Sequence, residues 1–437
     1  MYKTLSAPIT VQVELTSVCS SNCIHCYNHW RHQDDGCLGH MSDDILQRTL
    51  EELVRNEVFQ VTFTGGEPML RKKQLYRGIE TLTRAGISCS VNSNLRHIDS
   101  SDVKNLLSRG VGGILTSLHS YDCATHDYMS QSQGAFDDTM RGIRIAMENG
   151  LKVAVSMVVT KVNCNHVVPT GLFLKDIGVT QFYATKASPP VNSINFQRFM
   201  VSQDELMCVL EDIKALKEIH GMQCGILECY PMCLYKSASR FPFVAERRCS
   251  AGTTTCTIGS DGGIRPCSHS DKVYGSIMTN GLRLSWNAMV ECRDGSQLSK
   301  TCKNCPSFAR CSGGCRVDAA YCNGKIDTLD PYADARAITD IEPPKTSLPQ
   351  VAPNERFSVY NRIKFRSEEH GALAAALEDQ GSPVMITHDT RELVDSVRGR
   401  TFSSSELADI AGIDVTQAGE LCGLLLNDRV IVRVDSK

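Results

Sequence analysis

Three cysteines near the N-terminus constrain this chain more than any other feature. In Cys19-Ser20-Ser21-Asn22-Cys23-Ile24-His25-Cys26 they fall at C-x3-C-x2-C, just after a short apolar stretch, Ile9–Leu15, that reads as a strand. Thiolates at these spacings on one tight loop can point at a single small centre. A zinc ion and an iron–sulfur cluster both remain open at this point. A four-iron cube takes four ligands, so three thiolates would leave one iron free for an outside molecule. Further along, Val61-Thr62-Phe63-Thr64-Gly65-Gly66-Glu67-Pro68 is a β-rich run ending in two glycines, an acid and a proline. Glycines let the backbone come close to a ligand, and a carboxylate can pair with an ammonium group.

A C-x3-C-x2-C loop followed by a strand and GGEP resembles the radical S-adenosylmethionine (radical SAM) superfamily. The resemblance implies that Cys19, Cys23 and Cys26 hold a [4Fe–4S] cluster. Its open iron would chelate the amino and carboxylate groups of S-adenosylmethionine, with Gly65, Gly66 and Glu67 at the methionine end. It further implies that an electron, delivered by an external donor such as flavodoxin or ferredoxin, cleaves the C5′–S bond. The 5′-deoxyadenosyl radical so formed takes a hydrogen from an unactivated C–H bond.

Residues 1–190 alternate strand-like and helix-like patterns. Strands are expected at Ile9–Leu15, Gln60–Thr64, Ser88–Asn92, Gly113–Leu118, Val153–Val159 and Gln181–Ala184. Helices are expected at Ser42–Glu57, Lys72–Ala85, Ser101–Arg109, Ala135–Asn149 and Val167–Ile177, with Ser42 as an N-cap and Gly86, Gly110 and Gly150 as stops. Repeated βα units give an α/β fold with a parallel sheet. Six of them resemble the partial (β/α)6 barrel of the radical SAM core, whose reactive loops sit at the C-terminal strand ends. Asn92 and Ser93 end the third strand and Ser117 the fourth. Their polar groups suit the ribose or carboxylate of the cofactor, or ordinary strand-end hydrogen bonds. Ser117 and His126-Asp127 match family segments, whereas His119 stands where Asp is usual and Met129 where Arg is frequent. No residue is singled out as a catalytic acid or base.

The chain has 21 cysteines in 437 residues and no export signal, which favours metal over disulfides and a cytoplasmic setting. No apolar run reaches membrane-span length, and a net charge of −3 gives no field for nucleic acid. Residues 191–248 read as a bridging region. It has an amphipathic helix at Glu205–His220 and an undistinctive C-x4-C-x3-C at Cys224, Cys229 and Cys233, where buried free thiols compete with ligation. From Cys249 the pattern sharpens to C-x12-G-x4-C, a gap, C-x2-C-x5-C-x3-C and a last Cys322. This resembles the SPASM domain of radical SAM enzymes that mostly modify peptides, here over 249–337. The resemblance implies two auxiliary [4Fe–4S] clusters, making three in all. Cys249, Cys256, Cys267 and Cys315 would hold one, and Cys302, Cys305, Cys311 and Cys322 the other. A zinc ribbon is the competing reading of Cys302 to Cys315.

Residues 338–355 read as a Pro-rich linker. Beyond it, 356–437 carries strand-like Val359–Phe365 and Pro383–Thr387, a helix at Asp389–Val397 capped by Asp389, two helices at Ser403–Ala411 and Val415–Asn427, and a closing strand at 428–434. This order resembles a winged helix. The second helix of the pair, from Asp414 to Asn427, contains no Lys or Arg, which suits DNA poorly. The segment is also similar to PqqD-like domains, which take up a leader peptide by strand addition. Together the resemblances imply an oxidoreductase that matures a ribosomal precursor peptide by oxidative cross-linking or side-chain oxidation. The alternatives are a small-molecule dehydrogenase or epimerase, or an anaerobic sulfatase maturase. The last is disfavoured by Ser268, which stands where those enzymes carry an Asp.

Overall fold

The computed structural model describes residues 4–32, 39–191, 194–235, 239–334, 348–377 and 382–434. The chain divides into two compact units, one within residues 1–344 and one formed by 345–437 with the short segments 57–59 and 84–88. The first unit is built on β1 (Thr10–Glu14), β2 (Gln60–Thr64), β3 (Ser88–Asn92), β4 (Val111–Ser117), β5 (Val153–Val159) and β6 (Gln181–Lys186). These six lie side by side in chain order. The sheet curves as a partial barrel-like parallel array, with helices returning the chain between strands.

The local reasons are plain in the residues. β5, VAVSMVV, is β-branched and buried along most of its length, as a strand covered on both faces must be. The helix Asp43–Arg55 opens on Ser42, whose side chain accepts from the Ile45 N–H. It buries Leu46, Leu50 and Leu53 on one face. Gly86, Gly110 and Gly150 take positive φ where helices stop. The helix Lys72–Arg84 sits so close to β2 that a Cβ on Gly78 would lie 2.6 Å from the Phe63 ring. Between β4 and β5, the helix Cys123–Ser130 has no counterpart among the sequence expectations.

The segments after residue 190 join the same sheet. β7 (Gln223–Gly225) extends it beyond β6, in parallel. At the other edge β8 (Thr255–Ile258) pairs in parallel with β1, followed by antiparallel β9 (Gly263–Arg265) and β10 (Gly275–Ser276). The 191–248 region and the cysteine block therefore share one ten-stranded sheet with the first 190 residues. Among the described residues, no helix is long and apolar enough to cross a membrane.

In the second unit the expected strand Val359–Phe365 is two strands, β11 (Arg356–Val359) and β12 (Ile363–Glu368), because Asn361 and Arg362 turn the chain. β13 (Gly371–Ala376) follows. Alanine favours helices in isolation, yet all six residues are buried between β12 and β14 (Val384–Ile386), so pairing overrides propensity. β15 (Thr401–Ser403) and β16 (Ile431–Arg433) flank β11 in a second three-stranded sheet. The helix cap is Thr387, not Asp389: the helix begins at His388, and Thr387 accepts the Thr390 N–H at 3.1 Å. Phe357, Ala374, Phe402, Leu407 and Cys422 form the core of this unit. Of the expected linker, residues 338–347 lie outside the described residues.

Candidate functional site

The cysteine loop after β1 and the GGEP turn after β2 are stitched together by backbone. The Gly66 N–H donates to Thr16 O at 2.6 Å and the Glu67 N–H to Val18 O at 2.9 Å. A Cβ on Gly65 would lie 2.2 Å from Thr16 O, and one on Gly66 2.0 Å from Val18 O. Gly65 also has φ of +123°, which favours glycine. What these glycines admit is the backbone of the cysteine loop itself, not only a ligand.

Glu67 is fully buried. Its carboxylate accepts the Met69 N–H at 2.9 Å, the Ser93 hydroxyl at 2.8 Å and the Asn94 N–H at 2.8 Å. Burial raises its pKa, and those three donors pull the other way. Ser93 is thus committed to Glu67. Asn92 and Ser117, half-buried, are the last residues of β3 and β4 at the same end of the sheet. Two neighbours that sequence reasoning passed over brace the loop. Asn94 donates to Ser20 Oγ at 3.1 Å. Arg96 reaches Ser20 O at 3.0 Å, Ser132 Oγ at 2.7 Å and Asp138 at 3.1 Å. Nothing in the sequence marks Arg96, because its partners come from three separate segments.

The thiols of Cys19, Cys23 and Cys26 are electrostatic neighbours. Burial pushes the Cys23 thiol up to about 12, and the two neighbouring thiols push the same way. Burial also raises Cys19. Crowded thiols of this kind ionise readily only against a cationic partner, and three clustered sulfur donors suit an iron–sulfur core. Cys23 also lies within reach of His25 and His119. Their rings meet edge to face at 4.3 Å, and His126 accepts the His119 N–H at 3.0 Å. Burial lowers all three histidines, His25 to about 3 and His126 to about 4, so they are neutral.

A second gathering of cysteines lies in the same unit. Cys249, Cys267, Cys292 and Cys315 line a cavity of about 190 Å³. The Cys229 thiol is an electrostatic neighbour of Cys249. Cys302, Cys305 and Cys311 form another group, with Cys233 beside Cys311 and Cys302. Sulfur-only donor sets again fit iron–sulfur groups. Cys256 and Cys322, expected in these two sets, are placed elsewhere. Cys256 is buried in β8 opposite Val11. Cys322 donates to Met200 Sδ at 3.8 Å.

Two features connect the regions. Tyr27, next to Cys26, hydrogen-bonds Ser268 at 3.3 Å, next to Cys267; burial holds its hydroxyl up at about 12. Lys186, ending β6, is fully buried against Asp318 and Glu228. Burial opposes its charge, but Asp318 and then Glu228 more than offset that and hold its pKa well above the usual value. The Asp318 N–H in turn donates to Cys315 Sγ at 3.4 Å. A single lysine at a strand end carries no sequence signal for such a role.

Residues 13–171 match the Radical SAM superfamily model. That span contains the cysteine loop, GGEP and β2 to β5. Those residues carry a radical SAM domain. The AdoMet-dependent heme synthase of Methanosarcina barkeri is 23% identical over 75% of this chain and 96% of its own length. Mycofactocin maturase MftC of Mycolicibacterium smegmatis is 23% identical over 75% of this chain and 83% of its own. Among solved structures, Streptococcus suis SuiB bound to precursor peptide SuiA superposes with a TM-score of 0.60 at 18% identity, covering 75% of this chain and 76% of that one. The radical SAM match ends before the second gathering of cysteines, so the rear groups rest on geometry.

Proposed function

We propose that this radical SAM enzyme matures a ribosomally made precursor peptide, by oxidative cross-linking or side-chain oxidation. The observation that carries the reading is the pairing of one three-thiol loop on the barrel with two further cysteine groups, the Cys267 group being tied to it by the Tyr27–Ser268 hydrogen bond. S-adenosylmethionine on an iron–sulfur cluster, when bound, supplies the radical that takes hydrogen from an unactivated C–H. Cys19, Cys23 and Cys26 would hold that cluster. Glu67, Ser93 and Asn94 keep the end of β3 against the loop, and Asn92 and Ser117 offer polar groups to the bound cofactor. The neutral His25–His119–His126 stack packs behind Cys23 and helps keep water out of that side. The rear groups would hold two auxiliary [4Fe–4S] clusters that accept the electron an oxidative product must lose. An external flavodoxin or ferredoxin would supply the reducing electron.

Relatives include MftC, a maturase, and SuiB was solved with a precursor peptide. The 345–437 unit would bind the leader as an added strand, since each of its sheets ends in an unpaired edge among the described residues. A small-molecule substrate is the second reading, favoured by the heme synthase likeness. Against it, that relative is matched over almost its whole length while a quarter of this chain has no counterpart in it.

The test is anaerobic reduction of the reconstituted enzyme with S-adenosylmethionine and each short peptide encoded beside its gene. 5′-Deoxyadenosine and a peptide that has lost hydrogen are expected. 5′-Deoxyadenosine without change in any peptide would point to the small-molecule reading. None under any condition would overturn both.

A further inference from the structure

The inner face of the curved sheet follows from its registers. On β2 the Phe63 ring lies against Gly78 of the helix Lys72–Arg84, so Thr62 points the other way, into the barrel. Thr62 and Ser90 share a hydrogen bond at 3.0 Å, which puts Ser90 on the same inner face. Ser90 lies opposite Gly113 and Asn92 opposite Leu115, and Ser117 follows Leu115 by two residues. Ser117 pairs with Ser156, Ser156 with Tyr183 and Tyr183 with Gly225. Val155, Met157, Phe182 and Ala184, which alternate with them, are fully buried on the other face. Ser117, Ser156, Tyr183 and Gly225 therefore form one row across β4 to β7, facing the barrel interior.

This row carries three hydroxyls that the fold does not use. Elsewhere on the inner face Thr62 and Ser90 satisfy each other, and Thr185 accepts the Leu227 N–H at 2.9 Å. The hydroxyls of Ser117, Ser156 and Tyr183 have no hydrogen-bond partner among the described residues. Yet Ser156 is only 8% exposed, and Ser117 and Tyr183 are half-buried. Sheltered polar groups are normally paired, so a row of them without protein partners suits an outside ligand. A Cβ on Gly225 would come within 3.8 Å of the Tyr183 ring, and glycine there keeps the side of the ring clear. The row holds no charge. The rows beside it, Leu115–Ala154–Gln181 and Val158–Thr185, hold none either.

We propose that Ser156 and Tyr183 bind the side chain of the peptide residue that gives up its hydrogen, and that this side chain is a hydroxyl, a phenol or a carboxamide. Each of the two hydroxyls can donate and accept, which matches a neutral group of that kind. A carboxylate or ammonium would leave water with no opposite charge in these rows to meet it. Ser117, at the end of β4, stands beside Ser156 and is the residue offered above to the cofactor. A group held by Ser156 and Tyr183 thus lies next to the bound cofactor, as hydrogen transfer requires. The proposal rests on the peptide reading and adds to it the class of residue attacked.

The experiment uses the reconstituted full chain and whichever peptide encoded beside its gene is changed on turnover. Deuterium is placed on one residue type of that peptide at a time and followed into 5′-deoxyadenosine. Transfer from Ser, Thr, Tyr, Asn or Gln is expected; transfer from any other residue overturns the proposal. Tyr183→Phe and Ser156→Ala should each raise KM for the peptide roughly three- to tenfold, the worth of one hydrogen bond. Their Kd for S-adenosylmethionine and their denaturation midpoint should match the wild type, because neither hydroxyl has a protein partner to lose. An unchanged peptide KM in both variants overturns the proposal. So does weaker S-adenosylmethionine binding with the peptide KM unchanged, which would give the row to the cofactor. If no peptide is changed, the peptide reading falls and the proposal falls with it.

Discussion

The front and rear cysteine groups are built on opposite plans. At the front, three thiols come from eight consecutive residues and the rest of the chain is arranged to hold their loop still. GGEP grips its backbone, and Arg96 and Asn94 brace its middle. At the rear, thiols come from segments scattered between residues 229 and 315, and the tertiary fold does the gathering. A locally encoded site can leave a position open for a cofactor. A site assembled from distant loops can fill every position, because each added loop brings its own thiol. Perturbing each should therefore have different reach.

The largest effect is expected from the triple variant Cys19→Ala/Cys23→Ala/Cys26→Ala. It should form no 5′-deoxyadenosine from S-adenosylmethionine, yet keep the rear iron. Loss of all iron in this variant would mean that the two regions do not load independently.

Next comes Lys186→Met, which strips the cation from between Asp318 and Glu228, with both Lys186 and Asp318 fully buried. Removing one partner of a buried ion pair costs roughly 3–5 kcal/mol. Chemical denaturation should show that loss, with rear iron released before front iron because Asp318 is tied to Cys315.

The front counterpart is Gly66→Ala, whose added carbon has no room against Val18 O. A loss of about 2 kcal/mol or more is expected, with front iron released first. Ser93→Ala is milder. It leaves Glu67 short of one buried donor, at about 1–3 kcal/mol, and should weaken S-adenosylmethionine binding more than it weakens rear cluster content.

The smallest effect is on pH dependence. His126 is buried, with His119, Asp127 and Arg96 around it, and its pKa is lowered from 6.5 to about 4. The fold prefers the neutral ring, so the stability it contributes is present above 6.5 and lost as the pH falls toward 4. His126→Gln should flatten the acid side of the stability curve of the apoprotein. A curve as steep as the wild type's would assign that slope to other groups.

The same contrast explains what the sequence disclosed. The six barrel strands were legible because β-branched runs alternate with capped, amphipathic helices, and the helix stops are glycines at positive φ. The front loop was legible because its spacing is local. The continuation of the sheet into β7–β10 was not, since strands of two to four residues carry no periodicity. The Gly371–Ala376 strand was hidden by alanine's helix preference. Cys256 and Cys322 sit at plausible spacings, but Cys256 is buried in β8 in register with Val11 and the Cys322 thiol donates to Met200 Sδ.

The most direct measurement of the front–rear distinction is EPR of the reduced protein with and without S-adenosylmethionine, for the wild type and the front triple variant. The open front cluster should change its spectrum when S-adenosylmethionine is added. In the triple variant that change should vanish while the rear signals persist unaltered. A rear signal that responds to S-adenosylmethionine in the triple variant, or a wild type that does not respond at all, would contradict the account.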